Sequence, residues 1–198
     1  MEEKTDIKSF NKEELRLVIG ELGEKKFRAD QMYDWMHVKL ARSFDEMTNI
    51  SKDFREKCKE KFFYMAVELV TVQESKLDGT RKFLFALDDG NVVESVLMRY
   101  KHGNSVCISS QVGCRMGCRF CASTLDGLTR NLRPSEMLDQ IYAISRLIGE
   151  RISNVVVMGT GEPLDNYDNL LKFIRLLTDE NGLHISQRNV TVSTCGIV

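Results

Sequence analysis

The stretch Cys114-Arg-Met-Gly-Cys118-Arg-Phe-Cys121 places three thiols in one short loop, and the fold prediction starts from it. Closely spaced thiolates bind soft metal centres, and an iron–sulfur cube takes one thiolate for each iron. Three local thiols leave one of four irons without a protein ligand, and an iron with an open position can bind a small molecule. The alternatives are a structural zinc site, which usually uses CxxC pairs and a fourth ligand, and three thiols that are close by chance.

Regular elements surround this loop in an alternating order. Pro134 suits the first turn of a helix that reaches Gly149. Helices between apolar strands imply a parallel sheet with right-handed crossovers. The sequence predicts strands at 106–111, 154–158 and 189–194, and a second helix at Tyr167–Thr178.

The chain before the loop divides into a helical part and a strand part. Asn11-Lys-Glu-Glu14 is a capping-box pattern that opens a helix ending near Gly23, and Ser51 starts another that runs to about Phe62. Between them, helical spacing predicts a further helix with the apolar residues Phe27, Met32, Trp35, Met36 and Leu40. From residue 64 the pattern changes to strands, with turns predicted at Asp78-Gly79, Asp89-Gly90 and His102-Gly103-Asn104.

The composition is that of an ordinary globular protein. The 198 residues are 42% hydrophobic and 29% charged, and the apolar stretches are far too short to cross a bilayer. The N-terminus, Met-Glu-Glu-Lys, lacks the positive start and apolar core of a signal peptide. We therefore expect a cytoplasmic protein with reduced thiols and no membrane partner.

The net charge of −1 conceals a local asymmetry around the loop. Residues 99–133 carry a net charge of +5, from Arg99, Lys101, Arg115, Arg119, Arg130 and Arg133 against the single acid Asp126. Such a segment suits a polyanion. The alternative is that the arginines only offset thiolate charge, and residue content does not decide between the two.

The motif CxxxCxxC with an aromatic before its third cysteine resembles the signature of the radical S-adenosylmethionine (SAM) superfamily. Further segments resemble the RlmN/Cfr family of RNA adenine methyltransferases, and the likeness extends from Ser9 to the end of the chain. These segments are Ser109-Ser110-Gln111-Val112-Gly113, Arg130-Asn131-Leu132-Arg133, Val93-Glu94-Ser95-Val96, Met158-Gly159-Thr160-Gly161-Glu162-Pro163 and Val192-Ser193-Thr194.

The resemblance implies a cofactor site. Cys114, Cys118 and Cys121 would bind a [4Fe–4S] cluster, and the amino and carboxylate groups of SAM would chelate the fourth iron. Gly161 and Glu162 fall on a family segment that contacts the SAM amino group, with a plain strand-to-helix turn as the alternative for the motif taken alone. Ser193 matches a further SAM contact, with an ordinary strand-end hydroxyl as the alternative.

Two further residues match catalytic positions of the family. Cys107 falls on a second redox cysteine, which attacks a protein–RNA thioether to release the product, although a buried strand cysteine is usually inert. Glu94 falls on a proton acceptor, whose pKa would rise if the side chain faced inward among its neighbouring valines. Cys58 and Cys195 match no functional position and are expected to be structural.

The implied function is radical methylation of adenosine C2 in 23S ribosomal RNA, with transfer RNA as a second substrate and a methyl-cysteine as intermediate. An electron donor such as flavodoxin or ferredoxin would be the other partner. Cfr-like methylation at C8 is the close alternative. A different class of protein, a non-catalytic RNA-binding module closed by a metal, would need a fourth ligand, for which His102 and Cys107 are nearest.

The expected fold is α/β in three parts. Residues 1–63 form a three-helix accessory domain that holds RNA in the family, residues 64–104 a β-hairpin extension, and residues 105–198 the first half of a radical SAM partial (β/α)₆ barrel. A full eight-unit barrel takes about 250 residues, and only three core strands are found here. The family's methyl-carrying cysteine lies near the C-terminal end of the full-length protein, so the sequence predicts a fragment that cannot complete methyl transfer alone.

Overall fold

The structure, a computed structural model, describes residues 4–197, and its N-terminal part contains three short helices. Helix α1 (Lys12–Glu21) begins at the predicted capping box, where Asn11 and Glu14 each accept a hydrogen bond from the backbone N–H of the other. Helices α2 (Lys26–His37) and α3 (Lys52–Lys61) follow in the predicted places. Residues 1–3 and 198, which belong to the predicted accessory and core domains, lie outside the described residues.

The apolar faces of these helices form a small core, with Leu15, Ile19, Met32, Met36 and Phe54 almost fully buried. Two of the apolar residues that predicted α2 do not lie on its buried face. Phe27 is 48% exposed, and Leu40 lies beyond the helix end in the left-handed region with φ +57°. A short parallel pair, β1 (Thr5–Asp6) and β2 (Phe62–Phe63), joins the two ends of this helical part.

One six-stranded sheet forms the centre of the molecule. Its order is β10-β9-β6-β5-β4-β3, where the strands are β3 (Glu68–Glu74), β4 (Arg81–Ala86), β5 (Val92–Tyr100), β6 (Gly103–Ile108), β9 (Ile152–Val157) and β10 (Val190–Val192). Strands β3 to β6 pair antiparallel, and β6, β9 and β10 pair parallel. The strands before the cysteine loop thus continue the sheet that carries the parallel strands.

The hairpin turns explain the antiparallel half. Gly79 and Gly90 adopt φ +71° and +82°, which an Asp-Gly turn requires of its glycine. The carboxylates of Asp78 and Asp89 accept hydrogen bonds at 3.0 Å from the N–H groups two residues further on. Both predicted turns are therefore present.

Two helices connect the parallel strands and cover one face of the sheet. Helix α4 (Pro134–Ile148) begins with its proline and ends at Gly149, which has φ +66°, and α5 (Tyr167–Thr178) has the predicted bounds. On the sheet face that these helices cover, Val106, Ile108, Val155 and Val157 are completely buried. The alternate residues, including Cys107 and Val156, lie on the other, partly exposed face. Among residues 4–197, no helix combines the length and apolar character needed to cross a membrane.

The predicted strand at 106–111 is two strands. β6 ends at Ile108, and β7 (Gln111–Gly113) pairs antiparallel with β8 (Leu128–Asn131), a strand that the sequence analysis missed. Between β6 and β7 the backbone leaves the main sheet. Here the Ser110 N–H donates to the Thr160 carbonyl at 2.9 Å, and the Ser110 carbonyl accepts the Leu132 N–H at 3.1 Å. The two-stranded β7/β8 hairpin carries the cysteine loop.

Candidate functional site

The cysteine loop occupies the tip of the β7/β8 hairpin. Cys114 follows β7 directly, and its N–H donates to the Gly127 carbonyl at 2.9 Å, which closes the neck of the loop. At Gly113, with φ +74°, a Cβ atom would lie 2.0 Å from that same carbonyl oxygen, so only glycine fits. The neck therefore fixes where the three thiols emerge from the sheet.

Inside the loop, backbone hydrogen bonds hold Cys118 and Cys121 near each other. The Cys121 N–H donates to the Cys118 carbonyl at 3.0 Å, and the Thr124 hydroxyl donates to the Cys121 carbonyl at 2.9 Å. Cys114 is buried, whereas Cys118 and Cys121 are partly exposed, and all three are free thiols. Phe120 between them is 94% exposed. The loop thus presents its thiols to a space outside the hairpin.

That space is an open cavity of about 280 Å³ at the carboxyl ends of the parallel strands. One wall is the cysteine loop, a second is the turn after β9, and a third is the segment that follows β10. The six residues predicted to bind a cluster and SAM all line it, namely Cys114, Cys118, Cys121, Gly161, Glu162 and Ser193. Residues from three separate stretches of sequence therefore meet in one place, at the sheet edge where β/α proteins bind ligands.

Close packing of strand ends explains the glycines of the turn after β9. A Cβ at Gly159 would lie 2.8 Å from the Ile108 carbonyl oxygen, and one at Gly161, with φ +108°, would lie 2.6 Å from the Gln111 Cβ. The Gly159 N–H also donates to Ile108 at 2.9 Å. These glycines let the turn pack against the connection that leads to the cysteine loop, and the same packing brings the turn to the cavity.

Glu162 joins the second and third walls of the cavity. Its carboxylate is almost fully buried and accepts the Leu164 N–H at 2.9 Å and the Cys195 N–H at 2.7 Å. Burial tends to raise the pKa of Glu162, but these hydrogen bonds outweigh it and hold the pKa below its ordinary value. An ionised carboxylate therefore sits between the ends of β9 and β10.

Gln111 and Asp165 join the first and second walls, and the sequence analysis assigned a role to neither. The Gln111 side chain donates to Asp165 at 3.0 Å and accepts the Glu162 N–H at 2.8 Å. Asp165 also forms an ion pair with Arg115 of the cysteine loop. Gln111 belongs to the Ser109–Gly113 segment that resembles the family, so the sequence did mark it. Its contact with Asp165, 54 residues away, depends on the fold.

The positive charge counted around the loop is largely paired with carboxylates. Glu136 binds both Arg130, at 2.8 Å, and Arg133, at 3.1 Å. Asp89 and Asp88 bind the same two arginines at 2.5 Å and 2.7 Å, and Glu150 binds Arg99 at 3.1 Å. All of these acids lie outside residues 99–133, so a count over that segment missed them. The expected basic patch for a polyanion is therefore much weaker than the count suggested.

Glu94 and Cys107 lie away from the cavity lining, on the open face of the sheet. Cys107 pairs with Val96 on β5, two residues from Glu94, so both side chains point to the same face. Partial burial raises the pKa of the Cys107 thiol, although a hydrogen bond from the backbone N–H of Met158 acts in the opposite direction. The Glu94 side chain is 51% exposed and binds Lys82 at 3.0 Å, so it does not face inward.

The remaining two cysteines differ from each other. Cys58 is completely buried in the helical part, and burial raises its pKa to about 12, so its thiol is unreactive. Cys195, expected to be structural, instead lines the cavity beside Glu162. A hydrogen bond to Glu162 raises the pKa of its thiol, and so does the nearby Cys118.

A single metal ion and a cluster require different arrangements of donors. Among residues 4–197, no three His, Cys, Asp or Glu side chains come close enough together to hold one metal ion. A cube differs because each thiolate binds a separate iron. The two fourth ligands considered for a closed zinc site do not serve it, since His102 stacks on Tyr100 at the far end of β6 and Cys107 lies outside the cavity lining.

Comparisons with known proteins match two parts of the chain. The model of the ribosomal RNA large subunit methyltransferase N-terminal domain matches residues 5–63, and that of the radical SAM superfamily matches residues 108–198. A probable dual-specificity RNA methyltransferase RlmN from Lachnospira eligens is 71% identical over 98% of the chain and 55% of its own length. A protein of the same name from Clostridium novyi is 52% identical over 98% of the chain and 56% of its own length.

A solved structure supports the same assignment. The crystal structure of a radical SAM methyltransferase from Sphaerobacter thermophilus matches with a TM-score of 0.91 at 36% identity, over 98% of this chain and 57% of that one. The chain thus spans about half the length of the curated relatives that it matches. It belongs to the RlmN/Cfr family of radical SAM proteins, as its motifs indicated.

Proposed function

We propose that this chain carries the cluster site and part of the SAM site of an RNA methyltransferase that methylates C2 of adenosine. The observation that carries the proposal is the single cavity lined by three thiols of one loop and by the residues that follow two parallel strands. The names of the relatives support the RNA methyltransferase class. The remainder is inferred from the chemistry of the residues and from the family likeness.

Cys114, Cys118 and Cys121 are the proposed cluster ligands, and Gly161, Glu162 and Ser193 the proposed SAM contacts. When bound, a [4Fe–4S] cluster supplies one electron that cleaves SAM to a 5′-deoxyadenosyl radical. The ionised Glu162 carboxylate is suited to hold an ammonium group, because an opposite charge in a partly enclosed site favours binding. Ser193 is held at the cavity by its N–H, which donates to the Val157 carbonyl at 3.0 Å.

Glu94 and Cys107 are proposed to act on the RNA, as proton acceptor and second redox cysteine. Their position on one sheet face, on neighbouring strands, supports a shared role. The Glu94 carboxylate forms an ion pair with Lys82 at 3.0 Å on this face. Glu94 is exposed and Cys107 partly exposed on this face, which a large substrate such as RNA could cover.

The substrate proposal is 23S ribosomal RNA, with transfer RNA second. The family model at residues 5–63 supports ribosomal RNA, since it describes a ribosomal RNA methyltransferase domain. The adenine C2–H bond is too weakly acidic for a side-chain base, so a radical route suits that carbon. Methylation at C8 is the alternative. A flavodoxin or ferredoxin as electron donor and a cytoplasmic location complete the proposal.

The experiment is to reconstitute the chain anaerobically with iron and sulfide, add SAM and a reductant, and quantify 5′-deoxyadenosine by mass spectrometry. The proposal predicts 5′-deoxyadenosine from the wild type and none from Cys118→Ala. Equal amounts from both proteins would contradict the assigned ligands. The same assay on a full-length relative, with an RNA fragment added, separates 2-methyladenosine from 8-methyladenosine and so tests the position of methylation.

A further inference from the structure

A fourth thiol faces the cavity that contains the three cluster cysteines. We propose that Cys195 binds the fourth iron of the cluster when SAM is absent and gives up this position when SAM binds. The inference rests on the proposed cluster site and adds a ligand that the CxxxCxxC motif does not contain. The inference concerns the cluster site in the state without SAM.

The position of Cys195 is fixed by its backbone. Its N–H donates to the buried Glu162 carboxylate at 2.7 Å, and two residues earlier the Ser193 N–H donates to the Val157 carbonyl at 3.0 Å. These bonds hold the segment after β10 against the turn after β9. Cys195 is exposed and lines the same cavity as Cys118.

The other free cysteines cannot take this place. Cys58 is completely buried among the N-terminal helices. Cys107 lies on a strand outside the cavity lining. Within residues 4–197, Cys195 is therefore the one thiol beyond the motif that reaches the cavity.

The contact with Glu162 indicates which corner of a cluster Cys195 would meet. Gly161 and Glu162 are the proposed contacts of the SAM amino group, which would bind the iron that the motif leaves open. Because the Cys195 N–H donates to the Glu162 carboxylate at 2.7 Å, Cys195 lies at that same end of the cavity. Cys195 and the amino-acid end of SAM would thus compete for one position.

The exchange is a change of ligand without oxidation or reduction of sulfur. On binding iron, the Cys195 thiol releases its proton to water, as coordinating thiols do. When the amino and carboxylate groups of SAM take the position, the thiolate leaves the iron and regains a proton from water. In the absence of SAM, Cys195 would shield the fourth iron from other small ligands.

The test compares the wild-type chain with Cys195→Ala and Cys195→Ser, each reconstituted anaerobically and reduced, and uses cyanide as the probe. Electron paramagnetic resonance follows cyanide binding. Iron content is measured as well, with Cys58→Ala as the control. We expect cyanide to bind Cys195→Ala at least about tenfold more tightly than it binds the wild type. The affinity of Cys195→Ser should lie between the two. The wild-type and Cys195→Ala spectra should differ without SAM and become alike when SAM is added.

Two results would separate the possible failures. If all the proteins contain a cubane that responds to SAM, but Cys195→Ala matches the wild type in spectrum and cyanide affinity, the role of Cys195 is wrong and the proposed function stands. If the wild type forms no cubane, the proposed function itself fails. Because Cys195 is exposed, its substitution is not expected to unfold the chain, and circular dichroism checks this directly.

Discussion

At the scale of single residues, the ligand assignment distinguishes the loop cysteines from the buried one. Cys118→Ala removes one of three thiolates and should abolish cubane assembly. Cys58→Ala removes a buried thiol far from the cavity and should leave assembly unchanged, with at most a moderate loss of stability. Iron and sulfide analysis after anaerobic reconstitution measures both, and equal contents in the two variants would remove the assignment.

His37 should make stability depend on pH in a range where few other groups titrate. It is completely buried, its Nδ1 lies 2.8 Å from the Tyr142 hydroxyl, and burial lowers its pKa from 6.5 to about 3. Between these two pKa values, His37 binds a proton in the unfolded chain but not in the folded one. The contribution of neutral His37 to the free energy of unfolding is therefore complete above pH 6.5 and falls as the pH decreases toward 3. Between pH 7.5 and 5.5 the free energy of unfolding should fall by about 1 kcal/mol.

Urea unfolding at the two pH values measures this loss. His37→Gln should flatten the dependence, whereas His102→Gln, which changes an exposed histidine, should not. A wild-type stability that is equal at both pH values would contradict the assignment to His37.

Motifs mark the six proposed cluster and SAM residues, whose roles stay predictions. All six lie around one cavity. Cys195 was missed because its contact with Glu162, 33 residues away, exists only once β9 and β10 pair. The inward orientation considered for Glu94 is wrong because its flanking valines indicate the strand but not which face is covered.

At the scale of elements, the neck of the cysteine loop depends on Gly113. Gly113→Ala would place a Cβ 2.0 Å from the Gly127 carbonyl oxygen, so the β7/β8 hairpin must open. We expect loss of the cluster and destabilisation by about 3 kcal/mol or more. Iron content and thermal unfolding measure the two effects.

Gly127→Ala is the matched control. Gly127 has a similar φ of +69° but open space around its Cβ position, so only backbone strain of about 1 kcal/mol is expected, with the cluster retained. If the two alanine variants behaved alike, the close approach at the neck would not be what shapes the loop.

The helices and hairpins were predictable because capping, Pro and Asp-Gly signals are local. The β7/β8 hairpin was not, because the long cysteine loop separates its strands and its Asp126-Gly127 pair does not join two strands directly. The break in the predicted strand at 106–111 depends on the hydrogen bonds of Ser110 to Thr160 and Leu132, which are distant in sequence. The division of the chain at residues 64 and 105 stays a prediction.

At the scale of the whole molecule, a buried ion pair joins the helical part to the core. Lys8 and Asp139 of α4 are both completely buried and lie 2.9 Å apart, while the second Asp139 oxygen accepts the Val67 N–H at 2.7 Å. Desolvation lowers the pKa of Lys8, and Asp139 opposes this. Lys8→Met would leave a buried carboxylate without its main partner, so we expect a loss of about 3–5 kcal/mol.

Chemical denaturation measures that loss. The control is Lys39→Met, which breaks the exposed Lys39–Asp34 pair at 2.8 Å and should cost less than about 1 kcal/mol. A small effect for Lys8→Met would show that the Lys8–Asp139 pair is not what holds the two parts of the chain together.

Electron paramagnetic resonance can show whether the cavity holds a cubane with one iron available to SAM. The anaerobically reconstituted and reduced chain is recorded before and after addition of SAM. We expect a cubane signal whose g values shift when SAM is added. A colourless protein that holds one zinc ion, or a cubane signal that SAM leaves unchanged, would contradict it.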